Sequence, residues 1–179
     1  HLGGLLDAAE DGGYDLSSLT SYLAGATTIP AAIIDRCAKI GLATFRAYGS
    51  SEHPTISAGA PEDPLALRQG SDGHLCDGVR VRIVDDDGND QPTGQEGEIW
   101  SNGPDLFLGY VDASLDEDAF APGGWYKTGD IGRLDSANNL TITDRKKDII
   151  IRAGETLSSR EIEEHLAAIP GVLEVAVIG

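Results

Sequence analysis

The sequence predicts an α/β unit, then a small antiparallel β subdomain, then the opening of a separate α+β unit. Three observations predict it. Residues 19–48 follow a strand–helix–strand pattern, and short alternating strands punctuated by turns run from Val79 to Ile142. A charged break at Asp144-Arg145-Lys146-Lys147-Asp148 then restarts a β-α-β pattern.

Up to about Leu16 the chain is glycine-rich and acidic, and no element is assigned there. Leu19–Ala24 reads as a short buried strand, with Gly25-Ala26-Thr27-Thr28 as its exit loop. Pro30 suits a first helical turn. Ile33, Ile34, Cys37 and Ile40 make one apolar stripe, and Gly41 stops the helix. Ala43–Tyr48 is the next strand. A crossover of this length makes the two strands parallel and brings both loop exits to one edge. Ligands of open parallel sheets bind beyond that edge, so Ala24–Thr27 and Tyr48–Glu52 should flank one crevice. Glycine and alanine in the first loop let a planar ligand approach the backbone.

Residues 54–76 form a connector rich in Pro, Gly and Asp. Val79, Val81 and Ile83 alternate with Arg80 and Arg82 as a half-buried strand. Gly97–Trp100 and Asp105–Tyr110 supply two further strands, and Ile131–Leu134 pairs with Leu140–Ile142 across Ser136–Asn139. Asp85-Asp86-Asp87-Gly88 has calcium-loop composition, but the register would put Ile83 at the first ligand position, so it is a solvated turn. Beyond the charged break, Ile149–Arg152 reads as a strand and Gly154-Glu155-Thr156 as a loop. Ser158…Glu161 is a capping box opening a helix with Ile162, Leu166 and Ile169 on its buried stripe. Pro170-Gly171 ends it, and Val172–Ile178 starts another strand. One helix and two strands bury little, so this last unit is expected to be incomplete.

Composition narrows the function. The net charge of −17, from 13 basic and 30 acidic side chains, argues against nucleic acid or an anionic membrane as partner. An anionic ligand would need locally placed donors or a metal ion. Cys37 and Cys76 lack metal-ligand spacing and read as reduced thiols of a cytoplasmic protein. Apolar runs are too short to span a bilayer, and His1-Leu2-Gly3-Gly4 has no signal-peptide character. Met is absent throughout, which suggests that the chain starts inside a larger gene product or is processed.

The chemistry concentrates in three stretches. Tyr48-Gly49-Ser50-Ser51-Glu52 offers a ring for a base, hydroxyls for phosphate oxygens and a hard oxygen ligand for magnesium. Alone, it is equally ordinary turn composition. Its partners are Gly124–Asp130 and Asp144–Asp148.

With Gly97-Glu98-Ile99-Trp100…Gly103-Pro104…Gly109-Tyr110 added, these stretches resemble the adenylate-forming superfamily, specifically its acyl-CoA synthetases. Tyr48–Glu52 is similar to Tyr-Gly-x-Thr-Glu with Ser51 for threonine. Trp125–Asp130 is similar to Trp-(Tyr/Phe)-x-Thr-Gly-Asp, and Asp144–Glu155 with Glu161-Ile162-Glu163 resembles the interdomain hinge and first C-terminal strand. The resemblance covers roughly residues 20–179.

It implies the end of a large N-terminal adenylation domain followed by the start of a small C-terminal one. Residues 1–74 would end the α/β nucleotide-binding subdomain, 75–144 would form a β-barrel subdomain, 145–147 the hinge, and 148–179 the truncated C-terminal domain. It further implies a carboxylic acid, ATP, Mg2+ and coenzyme A as substrates and cofactors, a role in fatty-acid metabolism, and leaves a homodimer open. Gly25, Ala26 and Tyr48 with Gly49 would hold adenine, Ser51 a phosphate oxygen, and Glu52 magnesium. Asp130 and Arg145 would bind the ribose hydroxyls, Lys147 would be the hinge, and Gly154 would lie where pantetheine passes. Asp130 equally reads as a turn cap, and the Arg145–Lys147 cluster as a solvated linker. Ala24, Gly25, His53 and Ser57 are the candidates for the acid pocket, compatible with aliphatic or aromatic acids. His53 itself equally reads as a surface loop residue.

Two departures matter: residues 1–179 contain neither the family's Gly- and Ser/Thr-rich phosphate loop with its lysine nor its C-terminal catalytic lysine. The expectation is a segment of an enzyme about three times this length, nearly inactive by itself. A domain that loads a carrier-protein thiol and a non-catalytic nucleotide-binding module of the same fold remain alternatives.

Overall fold

The structure is a computed structural model, described here for residues 2–25, 29–152, 155–167, 169, 171–172 and 175–177. It opens with helix α1 (Leu2–Gly12), which the sequence reading left unassigned. Leu2 and Leu6, one turn apart, are its buried residues, and the spacing is visible in retrospect despite the glycines.

Strand β1 (Ser21–Ala24), helix α2 (Ala31–Lys39) and strand β2 (Ala43–Tyr48) form the expected crossover, with β1 and β2 parallel and Ala24 opposite Arg46. Ile34 and Cys37 are fully buried, whereas Ile40 lies past the helix end and is half exposed. Gly41, at φ 81°, donates to the Ala38 carbonyl and Leu42 N to the Cys37 carbonyl. That pair of bonds is a Schellman stop. Contrary to expectation β1 is not buried: it borders the sheet, and Leu23 is 55% exposed. Short strands β3 (Ser57–Ala58) and β4 (His74–Leu75), flanking helix α3 (Leu65–Gly70), extend the sheet in the order β1-β2-β3-β4.

The second sheet is antiparallel and contains β5 (Arg80–Val84), β6 (Gly97–Asn102), β7 (Phe120–Ala121), β8 (Trp125–Leu134) and β9 (Leu140–Arg145). β8 pairs with β6 on one side; on the other, its start meets β7 and its end meets β9. Leu134 lies opposite Leu140 and Gly132 opposite Ile142, in keeping with the pairing expected across the Ser136–Asn139 turn. Asp85 closes the preceding turn by accepting from Asp87 N and Asn89 N. Residues 105–110 form no strand; they follow Pro104 as a loop, ahead of a 3-10 turn (Ala113–Leu115) and the short helix α4 (Asp116–Ala119).

Two buried clusters form, the second shared with Tyr48 of β2 and Leu75 of β4. Leu2, Leu6, Ala24, Ile29, Ile34, Cys37 and Leu42 pack under the parallel pair, and Ile56, Val79, Ile83, Ile99 and Leu140 fill the second sheet. An ionic joint connects them. Buried Arg46 on β2 lies 3.3 Å from Asp72 and donates to the Ser71 carbonyl, while Asp72 accepts from Ile142 N on β9 at 2.8 Å. A charge this deep is tolerated because it is ion-paired and donates to backbone carbonyls.

After the charged break, β10 (Ile150–Arg152) pairs antiparallel with β11 (Glu155–Leu157), where a loop was expected, and helix α5 (Ser159–Ala167) follows Ser158. Leu166 and Ile169 are exposed rather than buried, and α5 packs on β9. Of the strand expected over 172–178, the described residues adopt none. No helix among the described residues is long and apolar enough to cross a membrane.

Candidate functional site

The loop at the end of β2 is wound tightly. Ser50 N donates to the His53 carbonyl at 3.0 Å, and Ile56 N to the Tyr48 carbonyl at 3.0 Å. A Cβ on Gly49 would stand 2.0 Å from the Pro54 carbonyl oxygen, so only glycine permits the turn. Gly25 lies alongside: a Cβ there would meet nothing nearer than the Ala47 carbonyl oxygen at 3.7 Å, which leaves open space at the β1 exit. Ala26 and Gly154 lie outside the described residues.

Asp130 and Arg145 are register partners on β8 and β9, and Arg145 Nε lies 3.1 Å from Asp130 Oδ1. The Tyr48 hydroxyl reaches across from the other sheet and donates to Asp130 Oδ2 at 2.6 Å. Burial, and then the Asp130 charge, push the Tyr48 phenol far above its ordinary pKa, so it stays a donor. Thr128 supports the carboxylate from below, accepting from Asp130 N and donating to the Ile99 carbonyl. The first and second sequence stretches therefore meet through a part-buried charge-assisted bond, and Arg145 brings in the third.

Glu52 is held in the same neighbourhood. Its carbonyl accepts from Phe107 N at 2.8 Å, and its Oε1 from the Tyr110 hydroxyl at 3.0 Å. Burial pushes the carboxyl up, but bonds from its own backbone N–H, Ser50, Tyr110 and Tyr126 outweigh it and leave the group below the usual range. Tyr110 and Tyr126 belong to an aromatic cluster: Phe107 stacks on Phe120 at 5.2 Å and meets both tyrosines edge-on. Tyr110 and Tyr126 stood inside recognised stretches, but sequence reasoning gave them no task.

The donor chemistry fits a magnesium nucleotide. Glu52 is ionised and hard, with hydroxyls around it. Among the described residues no group of three or more His, Cys, Asp or Glu gathers as a metal site. A single carboxylate suits a cation that keeps its waters and takes its other ligands from phosphates. Two surface concavities of about 330 and 390 Å³ lie along β5 and the β8–β9 turn, and neither is lined by Tyr48, Glu52, Asp130 or Arg145.

Lys147 sits exposed in the turn after β9, closed by Asp148 N donating to the Arg145 carbonyl. Its neighbour Lys146 ties that turn to the barrel, its Nζ 3.0 Å from Glu98 Oε2 and its N donating to the Gly129 carbonyl. Two acid-pocket candidates fail on burial. Ser57 is closed off and donates to the Asp72 carbonyl, and His53 is fully buried beside Ser101, neither in an open pocket nor on the surface.

Comparison with known proteins decides the family. A family model described as AMP-binding enzyme matches residues 2–111. The chain belongs to that family. It is 40% identical over 175 residues to the medium-chain fatty-acid–CoA ligase of Escherichia coli, covering 97% of this chain and 31% of that protein. It superposes on the Bacillus subtilis O-succinylbenzoate coenzyme A synthetase in complex with ATP and magnesium ion with a TM-score of 0.86 and 32% identity, over 99% of this chain and 37% of that one. The amide bond synthetase of Marinactinospora thermotolerans aligns at TM-score 0.82 and 29% identity, over all of this chain and 41% of that one. The chain thus has the adenylate-forming architecture, and it spans about a third of the length of the curated relatives it matches.

Proposed function

We propose that this chain supplies the nucleotide-binding face of an ATP-dependent acyl-CoA synthetase. The observation that carries the reading is the Tyr48–Asp130 bond, which draws the β2 loop, β8 and Arg145 to one place beside an ionised Glu52. In the reaction a carboxylate oxygen of the acid attacks the α-phosphorus of ATP, and the bond to pyrophosphate breaks. A thiol sulfur then attacks the acyl carbonyl and AMP leaves.

Tyr48, with Gly25, Ala26 and Gly49, holds the adenine, and Asp130 with Arg145 engages the ribose hydroxyls. Ser51 donates to a phosphate oxygen. Glu52 holds magnesium, which when bound supplies positive charge against the phosphates. Residues 1–74 and 75–144 form the nucleotide and barrel subdomains, residues 145–147 the hinge centred on Lys147, and 148–179, with Gly154 on the thiol's path, the start of the mobile domain. The 179 residues alone are proposed to turn over poorly, since they span about a third of the relatives.

Exchange of labelled pyrophosphate into ATP by the intact gene product, over a panel of carboxylic acids, tests the reading. Acid-dependent exchange that Glu52→Gln removes supports it; no exchange with any acid refutes it. The likeness to an amide bond synthetase favours a second reading, with an amine as acceptor. Replacing coenzyme A by amines in the second half-reaction separates the two.

A further inference from the structure

We infer that His53 is a positioning residue for Glu52, an inference that rests on the reading of Glu52 as magnesium ligand. The ring is fully buried between the β2 loop and the end of β6. His53 Nδ1 is hydrogen-bonded to Ser101 Oγ at 2.8 Å, whereas Nε2 makes a 3.1 Å contact with Asp105 Oδ1 that lacks hydrogen-bond alignment. Serine, histidine and aspartate in line are the parts of a nucleophilic triad. Here Ser101 has no exposed surface, so no substrate reaches its hydroxyl. The arrangement is therefore a strut.

What it braces is the Glu52 backbone. Asp105 also accepts from Thr55 N at 3.1 Å and from the Thr55 hydroxyl, so it grips the loop on both sides of Pro54. Glu52's own carbonyl is tied to Phe107 N in the same downstream segment. A Cβ on Gly103 would come within 2.8 Å of His53 Nε2, which shows how closely β6's exit is fitted to this ring. Glu52 is thus fixed by its carbonyl and through the next side chain, while the residue stays only partly buried with its carboxylate bonded to Tyr110. A ligand held by one carboxylate depends on that carboxylate's direction, and supporting contacts of this kind are worth about 10–100-fold in metal affinity.

The test uses the intact gene product and measures binding of Mn2+·ATP by calorimetry without acid substrate, so that turnover plays no part. His53→Ala should weaken Mn2+·ATP about tenfold while leaving magnesium-free ATP binding unchanged. Asp105→Asn should move affinity the same way by less, and His53→Asn, which keeps a polar partner for Ser101, should recover part of the loss. Asp105→Asn and His53→Asn carry the test if His53→Ala does not fold. Unchanged Mn2+·ATP affinity in folded His53 variants overturns the inference, as does an equal loss for ATP without metal. Glu52→Gln, run in parallel, separates the two readings: if it keeps full metal-dependent affinity, the assignment of Glu52 fails; if it alone loses affinity, only the role of His53 fails.

Discussion

Replacing Tyr48 by phenylalanine removes one hydroxyl and keeps the ring. The lost bond is 2.6 Å long, accepted by a carboxylate that is 6% exposed. Hydrogen bonds to charged groups contribute about 1.5–3 kcal/mol net, and the burial of Asp130 argues for the middle of that range, about 2 kcal/mol. Arg145 compensates little, because its side chain is 59% exposed and its attraction is screened. With a urea dependence of about 2 kcal/mol per molar, the unfolding midpoint of the intact protein should fall by about 1 M. In Tyr48→Phe/Asp130→Asn the losses should couple by about 1–2 kcal/mol, since the two groups touch. Strictly additive losses, or an unchanged midpoint in Tyr48→Phe, would refute the claim that this bond joins the two sheets at the site.

Three other outcomes are expected. Gly49→Ala forces the loop off the Pro54 carbonyl, and kcat/KM for ATP measured by pyrophosphate exchange should fall by at least about 100-fold, the cost of a displacement of roughly 1 Å. Lys147→Pro, which stiffens the proposed hinge, should slow thioester formation in single-turnover assays while acid-dependent pyrophosphate exchange persists. Asp135 caps the β8–β9 turn through Ala137 N, Asn139 N and Asn139 Nδ2, and the Asn139 side chain first, then the backbone donors, hold its carboxyl below 3.8. A depressed carboxyl stabilises the fold above its unfolded value and loses that contribution as pH falls through the folded one. Asp135→Asn should therefore flatten the acid limb of unfolding below about pH 3.8, followed by circular dichroism.

The parts legible in the sequence are those where local chemistry and tertiary packing agree. The Ile34–Cys37 stripe, the Gly41 stop and the Leu134–Leu140 pairing needed only periodicity and turn residues. Helix α1 was missed because Gly3, Gly4 and Gly12 lower helix propensity, and packing of Leu2 and Leu6 against the α2 cluster overrides it. Residues 105–110 have the apolar and aromatic content of a strand, yet Phe107 and Tyr110 are drawn into an aromatic cluster and Gly109 takes φ 143°. The polar motif residues were found by their stretches, but their connections were not. Nothing in the order of residues says that the Tyr48 hydroxyl ends on Asp130, that Tyr110 holds Glu52, or that His53 lies buried against Ser101. Those depend on how two sheets close on each other.

The claim that four separated side chains serve one nucleotide is tested most directly by a crystal structure of the intact protein with ATP and Mg2+. The adenosine should lie between the β2 loop and Asp130, with the metal on Glu52. A nucleotide bound elsewhere, with the Tyr48–Asp130 pair and Glu52 untouched, would contradict it.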